Sequence, residues 1–352
     1  MKMLNSLLYG LILLHPALLE ATSVPAPQPS AAHAYILQDF HSGKVIMEKN
    51  ADELLEPASL TKLMTAYIVF QRLRAGKIKL SDRVKISEKA WRMPGSRMYL
   101  EVDTSVSVEL LLKGMIIQSG NDASVALAEF IGGSEQAFAT LMNEHAQRLG
   151  LTSTHYTNST GLPDKQHYST ARDTARIAQI LIREFPDYYR WYSESELTYN
   201  NITQQNRNLL LRSSPSMAGI TVDGMKTGYT EAAGYCLVAS AKYGNMRLIS
   251  VAMGTNSEKA RSQESKKMLD YGFRFFETYR LYNAYEPLDI ERVWQGNTNQ
   301  LQLGISDPLY VTVPKGQHTQ LKATGYLNKH IMAPVIAGKT YGRLQISLDN
   351  QV

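Results

Sequence analysis

Residues 57–65 read Pro57-Ala58-Ser59-Leu60-Thr61-Lys62-Leu63-Met64-Thr65. Proline suits the first turn of a helix. Leu60, Leu63, Met64, Tyr67 and Ile68 then recur at helical spacing as far as about Arg74, and Gly76 supplies a stop. On such a helix Ser59 and Lys62 stand three residues apart on one face, so hydroxyl and amine can touch. The partial positive charge of a helix start disfavours the ammonium form of Lys62. A neutral Lys62 can take the Ser59 proton, which makes a serine nucleophile without histidine. A Ser-x-x-Lys arises about once by chance in a chain of this size. Taken alone it is a weak signal, outweighed by the reading of a solvated helix face.

Two further polar motifs follow. Ser119-Gly120-Asn121 falls in a break between predicted helices over 107–118 and 122–131. There the Ser119 hydroxyl can relay a proton, and the Asn121 amide can hold a substrate carbonyl or the Lys62 amine. The competing reading is an N-cap for the helix that begins at Asp122. Lys226-Thr227-Gly228 lies in a strand predicted over 225–230. Lys226 brings charge, Thr227 a hydroxyl, and Gly228 lets another backbone lie close. Tyr229 and Thr230 extend this polar edge. Chance rarely sets all three motifs in this order on a helix start, a helix break and a strand.

Together they resemble the penicillin-recognising serine enzymes, which carry Ser-x-x-Lys, a Ser-x-Asn type motif and Lys-Thr-Gly. More narrowly, residues 57–65, Gln118–Ala123, Asp223–Thr230 and Gly272–Glu277 look like the low-molecular-mass penicillin-binding proteins of the D-alanyl-D-alanine carboxypeptidase type. The resemblance runs from about His33 into the C-terminal region. It implies an α+β fold: an antiparallel β-sheet flanked by helices with a helical subdomain, transpeptidase/β-lactamase-like, then a small all-β domain. It implies removal of the terminal D-alanine from peptidoglycan pentapeptide stems through an acyl-enzyme on Ser59, with β-lactam antibiotics as covalent inhibitors. Ser59, Lys62, Ser119, Asn121 and Lys226 would be catalytic, and Lys226, Thr227, Gly228, Tyr229 and Arg261 would bind substrate. The backbone amides of Ser59 and Tyr229 would hold the oxyanion, and Arg261 would face the D-alanine carboxylate. Tyr229 departs from the pattern, since many relatives carry histidine there. The resemblance calls for no metal and no cofactor.

The alternatives are a class A-like β-lactamase and a non-catalytic penicillin-binding sensor. A β-lactamase of that class needs a deacylating glutamate. Glu196 and Asn200 have a suitable spacing but sit in an alternating, strand-like run far beyond Ser119. Asp173, near a predicted helix start, reads as a capping residue.

The chain has 352 residues, with 37 basic against 32 acidic side chains and a net charge of +5. Hydrophobic residues at 44% and charged residues at 20% describe a folded globular protein. No block of like charges marks a dedicated nucleic-acid binder. The single cysteine, Cys236, excludes an internal disulfide and a multi-cysteine metal site. The eight histidines form no ligand-spaced pair. Lys2, the apolar run Leu7–Leu14 and Ala21-Thr22-Ser23 read as a secretory signal over residues 1–23, which implies export to the periplasm or another extracytoplasmic space. Residues 24–33 form a proline-rich lead-in expected to be mobile.

Strand patterns over 34–39 and 45–47, and again over 225–230, 235–241 and 248–253, bracket the helical stretches. Their first and last members should pair in one antiparallel sheet covered by helices. A helix is expected from Arg261 to Tyr279. The peptidase domain is read as 34–282, and 283–352 as a separate β domain. The residues Asp349-Asn350-Gln351-Val352 follow a strand-like run, so the peripheral membrane helix common in relatives is not expected within the sequence given, whether it is trimmed away or this member lacks it.

Overall fold

The computed structural model describes residues 24–213, 218–327 and 330–348. The signal-peptide reading of residues 1–23 lies outside the described residues.

Five antiparallel strands form the central sheet, in the spatial order Val45–Lys49, Ala34–Asp39, Met246–Thr255, Gly234–Tyr243, Thr221–Thr230. The earliest strand pairs with the latest, Ala34 opposite Met253 and Asp39 opposite Leu248, as the distribution of strand patterns predicts. All six of its residues are buried, because both faces of the sheet are covered. Ile36 joins a large core with Leu63, Phe70, Val125 and Leu181 from the helical side. Leu37 joins a second core with Met268, Leu269 and Phe273 of the Glu258–Phe275 helix. Two apolar layers on one sheet are the usual way to bury both faces. The Thr221–Thr230 strand, which carries Lys226-Thr227-Gly228, stands at the outer edge of the sheet.

Three expectations are corrected. The stretch opened by Pro57 begins as a 3-10 turn, Ala58–Thr61, and becomes α-helical only over Lys62–Arg74. The helix expected over 107–118 is α-helical for Val108–Lys113 and then widens into a π-turn at Gly114–Gln118. The helix expected to reach Tyr279 ends at Phe275, and Phe276–Tyr282 is a strand paired with Leu309–Pro314. Aromatic and β-branched residues in Phe276-Glu277-Thr278-Tyr279 favour the extended form once a partner strand is present. The cut expected between residues 282 and 283 therefore divides a hydrogen-bonded sheet. The lead-in makes two hydrogen bonds to the Glu258–Phe275 helix. Tyr271 donates its hydroxyl proton to the Pro25 carbonyl (2.9 Å), and the Ala31 amide donates to Glu264 Oε2 (3.1 Å).

Beyond residue 275 the described chain is β-structure with a single short 3-10 turn, His318–Gln320. Asp39 ties it to the main sheet. One carboxylate oxygen accepts from the His41 and Ser42 amides, and the other from the Thr278 hydroxyl at 2.7 Å.

Candidate active site

The 3-10 start changes the Ser59–Lys62 geometry in a useful way. In a 3-10 turn side chains three residues apart eclipse one another, and Ser59 Oγ lies 2.9 Å from Lys62 Nζ. Lys62 is only 1% exposed. Its amine also contacts Asn121 Oδ1 and the Thr160 carbonyl, each at 2.7 Å. Two N–H bonds of a neutral amine satisfy these acceptors, leaving its lone pair for the Ser59 hydroxyl proton. Burial is the main cause that lowers the Lys62 pKa to about 7; the Asp122 charge opposes it and Arg207 assists it. The sequence argument assigned this effect to the helix start, but desolvation in the fold carries most of it.

The π-turn delivers Ser119 in a left-handed conformation, φ +67°. Such insertions occur often at functional sites, and a non-glycine residue held there stores strain. The capping reading of Ser119 and Asn121 is overturned. Gly120 is the N-cap of the Asn121–Gly132 helix, and no side chain caps it. Asn121 instead bridges Lys62 to the 94–98 loop, its Nδ2 donating to the Pro94 carbonyl at 2.7 Å. Asp122 secures the same loop by accepting from the Met98 and Leu100 amides.

Lys226, 2% exposed, donates to Ser119 Oγ at 2.8 Å and to the Thr227 carbonyl at 2.9 Å. Burial holds its pKa well below that of an ordinary lysine, and the neighbouring Lys62, Arg207 and Arg261 add to the effect. Gly228 lets the strand lie close against the Ser59 turn. A β-carbon there would lie 3.2 Å from Ala58 Cβ, the Pro57 carbonyl oxygen and the Ser59 amide nitrogen. Arg261 is 2% exposed and donates from Nη1 to the Gly228 carbonyl at 3.1 Å, while its buried Nε has no partner. Tyr229 is exposed, its ring 4.2 Å from that of Tyr235.

All of this surrounds one cleft of about 380 Å³, walled by Ser59, Ser119, Asn121, Thr227, Gly228, Tyr229 and Arg261. Lys62 and Lys226 are buried and each bonds a serine hydroxyl on the wall of this cleft. Sequence reasoning missed three contributors. Arg207 lines the cleft, its Nε donating to the Gln118 carbonyl at 3.0 Å, and nothing in Asn206-Arg207-Asn208 marks it as a motif. Gly161, at φ +83°, passes so close to the Ser59 turn that a β-carbon would overlap the Ala58 carbonyl. Glu135 accepts from the amide and hydroxyl of Ser159 (3.1 and 2.8 Å), which fixes the carbonyl of the next residue on Lys62.

Glu196 lies in a strand, as its alternation predicts, and bonds Gln205 outside the cleft. Asp173 is not itself the cap. The Thr170 hydroxyl accepts from the Asp173 amide, which frees the carboxylate to hold Ser153 and Thr154. His167, buried, bonds the Thr61 hydroxyl at 2.8 Å. Among the described residues no group of three His, Cys, Asp or Glu is arranged to hold a metal. Cys236 is buried and its thiol is pushed up to about 11 by desolvation, which leaves it inert.

A serine hydroxyl against a buried lysine of lowered basicity, with a second lysine–serine pair across the cleft, defines a serine hydrolase that works by acyl transfer. The family profile of the D-alanyl-D-alanine carboxypeptidases matches residues 20–257, and that of the penicillin-binding protein 5 C-terminal domain matches 276–352. The chain belongs to the D-alanyl-D-alanine carboxypeptidase family of serine-type hydrolases. It is 46% identical over 336 residues to D-alanyl-D-alanine carboxypeptidase DacC of Escherichia coli, covering 94% of this chain and 83% of that one. Penicillin-binding protein 5 from Haemophilus influenzae superposes with a TM-score of 0.88 at 43% identity, over 93% of this chain and 95% of that one. Penicillin-binding protein D2 from Listeria monocytogenes, in its ampicillin-bound form, gives a TM-score of 0.63 at 28% identity over 69% of this chain and 98% of that one.

Proposed function

We propose that Ser59 attacks the carbonyl before the terminal D-alanine of a peptidoglycan pentapeptide stem while Lys62 accepts its proton. The backbone amides of Ser59 and Tyr229 hold the developing oxyanion. Ser119 and Lys226 pass a proton to the departing D-alanine amine, and water activated again by Lys62 releases the shortened stem. The stem lies extended along the free edge of the Thr221–Thr230 strand, in the manner of strand addition. Thr227 and the cations Arg207 and Arg261 receive the D-alanine carboxylate. β-Lactams acylate the same serine, consistent with the ampicillin-bound relative. We take residues 1–23 as an export signal and place the boundary of the C-terminal β domain before Phe276. No helix among the described residues is long and apolar enough to cross a membrane.

One observation carries this reading: Lys62–Ser59 at 2.9 Å and Lys226–Ser119 at 2.8 Å open onto a single cleft. Incubation with penicillin, tryptic digestion and mass spectrometry should find the adduct on the peptide Asn50–Lys62. An adduct on any other peptide, or none, refutes it. Rapid release of hydrolysed penicillin would instead mark a β-lactamase, and absence of D-alanine release from a pentapeptide would mark a sensor. Arg261→Gln should reduce kcat/KM for the free-acid pentapeptide by about 10–100-fold, the value of a lost charged hydrogen bond. Its C-terminal amide should be affected far less, and equal losses on both would remove Arg261 from carboxylate recognition.

A further inference from the structure

A second cleft, about 630 Å³, opens at the other end of the strand that carries the active-site motif, next to Asp223 rather than Thr227. Phe40, Tyr189 and Met246 contribute apolar walls. Between the two rings lies the buried Arg247 guanidinium, 5.6 Å from Phe40 and 5.5 Å from Tyr189. It grips both oxygens of Asp223 at 2.9 and 2.8 Å, and Lys242 shares the same carboxylate at 3.3 Å. Arg183 and Arg190 complete the rim, both exposed. Neither meets a carboxylate within ion-pair distance among the described residues. Three arginines and one lysine thus face one carboxylate that Arg247, Lys242 and the Tyr189 hydroxyl already engage. A concave, partly apolar wall concentrates such a field and draws in anions.

The volume suits a ligand of a few residues, and the aromatic walls suit an organic body better than a bare ion. We propose that this cleft binds a short peptide bearing two or more carboxylates, without cleaving it. No serine–lysine pair is present. The only serine on its wall, Ser193, donates its hydroxyl proton to the Arg190 carbonyl at 2.7 Å. Resting on the function proposed above, the source of such a peptide is the carboxylated portion of wall stems, and the cleft would keep the enzyme on a polymer whose ends it trims.

The probe is N-acetyl-L-Ala-D-Glu, a dianion with no D-alanine to remove, titrated calorimetrically into protein already acylated by penicillin. Saturable one-to-one binding is expected. It should weaken at least tenfold for the diamide of the probe, and equally in an Arg183→Gln/Arg190→Gln double variant that still acylates at the normal rate. No saturable binding, or unchanged affinity in the double variant, overturns the proposal. Inorganic phosphate binding as tightly as the dipeptide would also overturn it in favour of a simple anion site. Failure of penicillin to acylate the protein counts against the catalytic reading alone. The wild-type and double-variant titrations on the unacylated chain then decide the cleft.

Discussion

Lys62→Met should slow acylation by penicillin, and D-alanine release with it, by about 10⁴-fold, the upper range for losing a positioned general base. The fold should survive. Methionine removes an amine that is costly to bury, but it leaves Asn121 Oδ1 and the Thr160 carbonyl unpaired at about 1–3 kcal/mol each. The two effects oppose, so the melting temperature should move by only a few degrees while activity collapses. Residual acylation within tenfold of the parent would exclude Lys62 as the base. The parent protein should also show an acid limb in its acylation rate near pH 7, because burial lowers the Lys62 pKa to about 7 and only the neutral amine accepts a proton. The sign for stability follows from the same shift. Between about 7 and the ordinary lysine value of 10.5 the unfolded chain binds more protons, so this group makes folding more favourable as pH rises through that window. Below 7 both states are protonated and the cost of burying the charge is fully felt. Lys226, shifted the same way, acts in the same direction.

Gly161→Ala should be the most damaging small substitution outside the three motifs. At φ +83° an L-residue costs about 1–2 kcal/mol. The added methyl would also overlap the Ala58 carbonyl and come within 2.7 Å of Thr61 Oγ1. Overpacking of this kind adds about 1–3 kcal/mol. The turn bearing Ser59 must move to accommodate it, and a displacement near 1 Å is worth about 100-fold in rate. Urea denaturation should show a loss of about 2–5 kcal/mol with acylation slowed at least 100-fold. Parent-like values for both would show that the loop yields without disturbing Ser59.

Local chemistry made much of this site readable. Ser59 and Lys62 sit close enough in sequence that a tight helical turn can bring them together, so their spacing permitted contact and the other two motifs gave it meaning. Lys226-Thr227-Gly228 was legible because a strand with an otherwise unneeded glycine implies a close neighbour, and that neighbour is the Ser59 turn. Arg207 was not legible. Its role depends on where the chain passes after the strand pair 196–199 and 202–205, and no local pattern encodes that path. Glu135 and the Ser159–Gly161 loop escaped for the same reason, since Glu135 holds Ser159 from 24 residues away and the Thr160 carbonyl meets Lys62 across 98 residues of chain. The Phe276–Tyr282 strand was misread because aromatic residues can continue a helix or join a sheet, and only the partner at 309–314 decides between them.

By itself, then, the order of residues determined which groups can react and how the layers alternate, because both depend on side-chain type and short-range periodicity. Tertiary structure alone decided how basic the two lysines are, since their burial comes from segments distant in sequence. It also decided that two serine–lysine pairs open onto one space, because meeting across a cleft is a property of packing that no local interaction imposes.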